Sequence, residues 1–390
     1  MTYINERLKN KVSKDIFLNI WRKKKIIIPL VLILALAIGL YVYIVKQRNK
    51  VYVKYAVENT IEIDSSIATE YKEFQGGILR YSTDGISFYK GGKEIFNKAI
   101  QMPTPVIDVN GDYIAMAERS STEINLFDKK GSQKNITATH SIVGLAVSEK
   151  GVVAAILDDG AANYIEIYDK EGAKLVSGRT VLEGDGYPIS ISLSEDATKL
   201  AASYLAVSEG QTQSKVVFYN YSSVGENEVD RIVGGFNQYK NTIVPVVKFI
   251  NNNTVIAVGD DMFSIYSIDQ KPKLRYEESF DNRVETVFYS SRYIGIVFDS
   301  NDQTYSHVLK VYDKNGKIVF VKSLDFNYSD IHFAGENVVL NDSVHCIMYS
   351  FKGKERFNGN FDKNIVKLIP ISDDKYILVS DNTIEELKLK

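Results

Sequence analysis

One cysteine, Cys346, stands alone in the 390 residues, so no intramolecular disulfide can form and disulfide-stapled scaffolds are excluded. Lying in the strand-like run VHCIMYS, it reads as a buried, inert thiol. Tryptophan occurs once, at Trp21, and proline only seven times. Few prolines and no low-complexity stretch exclude a disordered chain. The four histidines, His140, His307, His332 and His345, show no HxH or HExxH spacing. His332 and His345 read as ordinary hydrogen-bonded strand histidines that face one another at most across one repeat. A Gly-x-Ser-x-Gly elbow, a Walker loop, a Gly-x-Gly-x-x-Gly loop and an EF-hand loop are also missing. From these absences the sequence implies no catalytic residue, no cofactor and no metal.

Aromatic and apolar residues dominate what is present. The chain has 25 tyrosines and 18 phenylalanines, a usage suited to pleated, half-buried surfaces. Eight apolar segments recur in the same setting: GILRYS (77–82), YIAMAE (113–118), VVAAILD (152–158), KLAASYL (199–205), TVIAVGD (254–260), YIGIVFD (293–299), NVVLND (337–342) and YILVSD (376–381). Strands such as VIDV (106–109) and ETVFY (285–289) precede them, and hairpins with Lys-Gly or Asn-Gly turns follow, as in FDKKGSQ (127–133) and YDKNGKI (312–318). Equivalent turns recur every ~43 residues, the length of a four-stranded propeller blade. A β-helix needs shorter coils, and a two-sheet sandwich does not repeat one four-strand order eight times. The pattern predicts an all-β, eight-bladed β-propeller, with seven blades as the alternative count.

The last copy ends in TIEELKLK (383–390), a third strand without a fourth, whereas VYVKYAVENTIEID (51–64) is strand-like and precedes the first repeat. Residues 51–64 are therefore expected to complete the last blade. Ahead of them, residues 26–45 form an uncharged apolar run. Twenty helical residues span about 30 Å, enough for a bilayer core. The run is too long for a signal peptide and lacks a small-residue cleavage site. The expected layout is a basic cytoplasmic segment (1–25), a transmembrane helix (26–45), a short linker (46–50) and an extracytoplasmic propeller (51–390). The orientation follows from the heavier Lys and Arg content of the first flank.

Turns ahead of several recurring strands read as degenerate Ser-x-Asp-Gly-x-x-apolar-Ala: SEDATKLA (194–201), SEKGVVAA (148–155), VNGDYIA (109–115) and SDDKYIL (372–378). They resemble WD40-like and Tol-B-like repeats. With the single N-terminal span, the chain resembles a clostridial family of single-pass membrane-anchored β-propeller proteins of unknown function. That resemblance implies the fold and the layout but no particular activity. With Trp21 the only tryptophan, the Trp-Asp dipeptide of WD40 blades and the tryptophan docking of quinoprotein-like blades are both missing.

Residues 1–50 hold eleven basic and two acidic residues, which leaves 36 basic against 47 acidic, net −11, for residues 51–390. That excess excludes a nucleic-acid binder, whose affinity rests on Lys and Arg against phosphate. Six recurring strands end in an acid: Glu118, Asp158, Asp260, Asp299, Asp342 and Asp381. These form the candidate partner-binding face, set against the plainer reading that Asp merely favours turns. Aromatic residues around Phe236 and Tyr239 are the second choice. The expected function is a non-catalytic, membrane-anchored binding or scaffolding module at the bacterial cell surface, recognising a protein, peptide or wall glycan. The alternative is an envelope hydrolase or lyase with its site at the central channel. The expected partners are the lipid bilayer through residues 26–45 and an envelope protein or glycan.

Overall fold

The computed structural model describes residues 32–43, 45–46, 50–64, 69–181, 184–208, 210–300, 302 and 304–390. It divides into two units, residues 1–51 and residues 52–390. In the first, residues 32–43 and 45–46 are helical. No helix among the described residues is long and apolar enough to cross a membrane. Residues 26–31 and 44 of the expected span, and the basic segment 1–25, lie outside the described residues.

The second unit is an all-β, eight-bladed β-propeller of eight four-stranded antiparallel sheets. Blades 1 to 7 follow the chain, at residues 69–99, 105–137, 141–180, 187–240, 246–279, 284–324 and 330–360. In each, sequential strands pair as neighbours from the first, innermost strand to the fourth, outermost one. Blade 8 takes three strands from residues 367–389 and its outer strand, Tyr55–Glu62, from the start of the ring.

The second strands are buried on both faces. In Val153–Asp158 every residue but the terminal aspartate is buried, and in Asn337–Asn341 all five are. A strand covered by sheets on both sides carries a near-continuous apolar run instead of an alternating one. Small side chains such as Ala115, Ala117, Ala154, Ala155, Ala201, Ala202 and Ala257 hold several of these positions, so neighbouring sheets can approach closely. Outer strands alternate instead: Lys174–Thr180 is exposed at every second position after its first residues.

Every hydrophobic cluster joins two neighbouring blades. Between blades 2 and 3, for example, Ala115, Ile124 and Leu126 meet Ile142, Val153 and Leu157. No blade buries its faces alone, which is the rule for repeat architectures. The smallest cluster, that between blades 8 and 1, holds Ile78, Tyr89, Ile369, Ile377, Val379 and Ile384 among the described residues.

Tyr55–Glu62 runs antiparallel to Thr383–Leu389, with Tyr55 opposite Leu389 and Ile61 opposite Ile384. A register shift between Val57 and Asn59 adds one residue to the outer strand. Just before it, the Tyr52 N–H donates to the Arg356 carbonyl at 2.7 Å and the Val53 N–H to the Lys390 carbonyl at 2.9 Å. The Arg356 guanidinium is buried, lies 5.3 Å from the centroid of the Tyr52 ring and donates to Asn337 Oδ1 at 3.1 Å. The chain start is thus fastened to blade 7 as well as to blade 8.

Removing residues 52–64 should leave the Thr383–Leu389 edge unpaired, and such a chain should self-associate in size-exclusion chromatography. Ile384→Ala, at the smallest interface, should lower stability by about 2–5 kcal/mol in urea unfolding. An unchanged midpoint would mean that this interface does not hold the ring.

Candidate functional site

The first strands line the axis, and an ion pair crosses it. Asp108 lies on Pro105–Asn110 of blade 2 and Lys248 on Val246–Asn251 of blade 5. Lys248 Nζ is 3.3 Å from Asp108 Oδ1, while Asp108 Oδ2 accepts from the Val147 N–H of blade 3 at 2.8 Å. Burial lowers the Lys248 pKa, but Asp108 and the neighbouring Tyr289 outweigh it, so the ammonium stays charged. At the turns that follow the first strands a cavity of about 430 Å³ opens, bounded by blades 1, 2, 5 and 6 through Gln75, Gly111, Phe249 and Tyr289.

A second polar group lies on the first strands of blades 7 and 8. Asp330 accepts from Lys367 Nζ at 2.8 Å, and its other oxygen is 3.3 Å from His332 Nδ1. Burial pushes the Asp330 carboxyl up, but His332 and Lys367 more than offset this and hold it at about 2. Both ring nitrogens of His332 are buried and make no hydrogen bond. A third feature, a cavity of about 270 Å³ between blades 3 and 4, is walled by Tyr204, Tyr219, Tyr221, Arg179 and Arg231.

The six acids that end second strands gather at one face, because every second strand of the ring runs in the same sense. All but Asp299 accept hydrogen bonds, either from their own turn or from the connection that enters the same blade. Glu118 accepts from the Thr104 N–H at 2.8 Å and Asp158 from the Gly160 N–H at 2.7 Å. Asp260 accepts from the Ile243 N–H at 3.0 Å and Asp381 from Asn364 Nδ2 at 3.0 Å. Asp342 accepts from the N–H groups of Val344 and His345, at 2.8 and 2.7 Å. Although burial raises the Asp342 pKa, those two bonds and His345 bring it below the usual carboxylate range.

Asp299 differs. Its carboxylate, that of Glu285 and the His307 imidazole place their ligand atoms within 4.8 Å of one another. Sequence spacing concealed this trio, since its members belong to three successive strands. The Asp299–His307 cross-strand pair is the one element that hairpin register makes legible.

Other expectations resolve as follows. Cys346 is buried, and burial pushes its thiol up to about 12. His345 pairs with Asn358 Oδ1 at 2.6 Å instead of facing His332. The second-choice face is corrected. Phe236 and Tyr239 belong to the outer strand of blade 4, where Tyr239 is fully buried and Phe236 packs on Phe218 and Tyr266. The insertion itself is the two short 3-10 turns Ser223–Gly225 and Val229–Arg231.

Residues 48–389 match the family described as a family of unknown function, DUF5711. The chain belongs to that family. No match was found among curated proteins. Similar solved structures include the Pan2 WD40 domain of Neurospora crassa, at 9% identity, TM-score 0.43 and coverage of 73% of this chain and 88% of that one. Hsv2p of Kluyveromyces lactis is 13% identical with TM-score 0.47, covering 76% and 97%. Hydrazine synthase of Kuenenia stuttgartiensis is 12% identical with TM-score 0.44, covering 74% and 93%.

Lys248→Met should destabilise the ring by about 3 kcal/mol, because it leaves Asp108 charged and unpaired against the axis. Adding Asp108→Asn should restore part of the loss, and additive effects of the two changes would show that the pair is not coupled. For Asp330, a native pKa below the unfolded value contributes stability that is complete above about pH 4 and lost as pH falls toward 2. Between those pH values the wild type should lose about 2 kcal/mol more than Asp330→Asn in urea titrations.

Proposed function

We propose that this propeller is a non-catalytic binding or scaffolding module held at the cell membrane, which engages a cationic protein, peptide or wall component through the face where the second strands end. One observation carries this reading: the turns of that face concentrate negative charge. Beside the six acids stand Asp84, Asp159 and Asp261, against Arg119 in the same turns and Arg283 and Lys363 in the adjoining connections between blades. Loop bonds fix the carboxylates in place, so the field they generate is preorganised for a partner of opposite sign.

Membrane attachment rests on residues 26–45. The helical part of that run exposes Leu32, Ile33, Leu34, Leu36, Ile38 and Leu40, a surface apolar on all sides that suits lipid. In this reading residues 1–25 stay in the cytoplasm and residues 51–390 lie outside it. A reporter active only in the cytoplasm, fused after Lys390, should be silent; activity there would reverse the orientation.

The binding face is tested with a partner cross-linked on intact cells. Asp260→Asn, Asp342→Asn and Asp381→Asn combined should slow its association and flatten the salt dependence, because steering by surface charge is screened by ions. Identical rates at two ionic strengths for wild type and variant would reduce these acids to turn residues.

A further inference from the structure

We propose that Glu285, Asp299 and His307 of blade 6 bind one divalent first-row transition cation, with Zn2+ as the natural probe. Their ligand atoms lie within 4.8 Å of one another, and they comprise two carboxylates and one imidazole. Each comes from a different strand. Glu285 is on Val284–Tyr289, Asp299 ends Tyr293–Asp299, and His307 begins His307–Asp313, directly opposite Asp299.

Two independent features point to a ligand. The first is the imidazole. His307 Nδ1 is buried and makes no hydrogen bond, although Glu285 Oε2 is only 2.7 Å away. Its ring is held edge-on by Tyr328, with centroids 5.4 Å apart, and the Tyr328 hydroxyl is itself fixed by Thr286 Oγ1 at 2.7 Å. The two atoms are thus within ion-pair distance but not aligned for a hydrogen bond.

The second feature is the comparison between blades. A register shift makes Glu285 the extra residue of a bulge, and the same bulge recurs in blade 3 at Val143. The positions of blade 3 that correspond to Glu285, Asp299 and His307 are Val143, Asp158 and Asn163. The bulge and the aspartate thus recur in blade 3, and blade 7 repeats an aspartate opposite a histidine as Asp342 and His345, so the bulged glutamate is what sets blade 6 apart. Bulges commonly aim a side chain at a site.

The donor set selects the ion. Imidazole with carboxylates suits Zn2+ or a neighbouring transition ion better than Ca2+ or Mg2+, which prefer all-oxygen shells. Three protein ligands leave at least one coordination position for water or a partner's donor atom.

The test uses the full chain stripped with a chelator and dialysed against Zn2+ at neutral pH. One Zn2+ per chain should be retained and the melting temperature should rise. His307→Gln and Glu285→Gln should each reduce affinity beyond the roughly 10–100-fold that losing an outer-shell partner costs. Co2+ in place of Zn2+ should give visible bands that change in His307→Gln. Asp299→Asn provides a second variant should either of the others misfold, and melting in chelator identifies any such loss. No uptake by the wild type would overturn the site, as would equal uptake by folded variants or an equal response to Ca2+. None of these outcomes bears on the acidic-face reading, whose variants leave all three ligands in place.

Discussion

Burial of second strands on both faces is the constraint on which the rest of the structure depends. A sheet such as blade 3, with Val153 to Leu157 wholly buried, has no stable existence with either face in water. Every face must meet another blade, and the eight shared clusters complete that circuit. Closure then becomes a condition of folding. The outer strand Tyr55–Glu62, paired with Thr383–Leu389, joins the two ends of the ring within one sheet. Arg356, buried against Tyr52, extends that fastening into blade 7.

Closure also organises the polar groups. Identical strand sense in every blade delivers the ends of all second strands to one face, so acids scattered over more than 260 residues become neighbours on a rim. At the axis the same convergence brings first strands from separate blades together. Asp108 and Lys248 meet there although 140 residues separate them. A partly buried charge near the axis is held by its partner, which ties the geometry of the first strands to an electrostatic requirement.

Two kinds of polar cluster result. Asp330 has a lysine and a histidine within reach and is held ionised, an arrangement that strengthens the contact between blades 7 and 8. Glu285 and Asp299 instead bring like charges together beside an imidazole whose nitrogen lacks a hydrogen bond. The first arrangement has its cation in Lys367, whereas the second takes its cation from solution in the site we propose.

The sequence by itself pointed to eight blades, with seven as the alternative, and placed the second strands almost residue for residue: Gly77–Ser82, Tyr113–Glu118 and Tyr293–Asp299 match the apolar runs. The physical reason is that burial on both faces leaves an uninterrupted apolar signal. The first strand of blade 1, Thr69–Phe74, left no such signal, because TEYKEF mixes charges with aromatics at the axis. Outer strands were also ambiguous, so Phe236 and Tyr239 read as surface aromatics although neighbouring tyrosines and Phe218 enclose them. Only the tertiary structure decided which distant residues meet. The pairing of Asp108 with Lys248 depends on closure of the ring, and the bulge at Glu285 and the one-residue shift in the closing strand depend on inter-strand register. Turn geometry and apolar alternation set the register of a regular hairpin, but a bulge or a contact between distant blades forms only where strands and sheets meet.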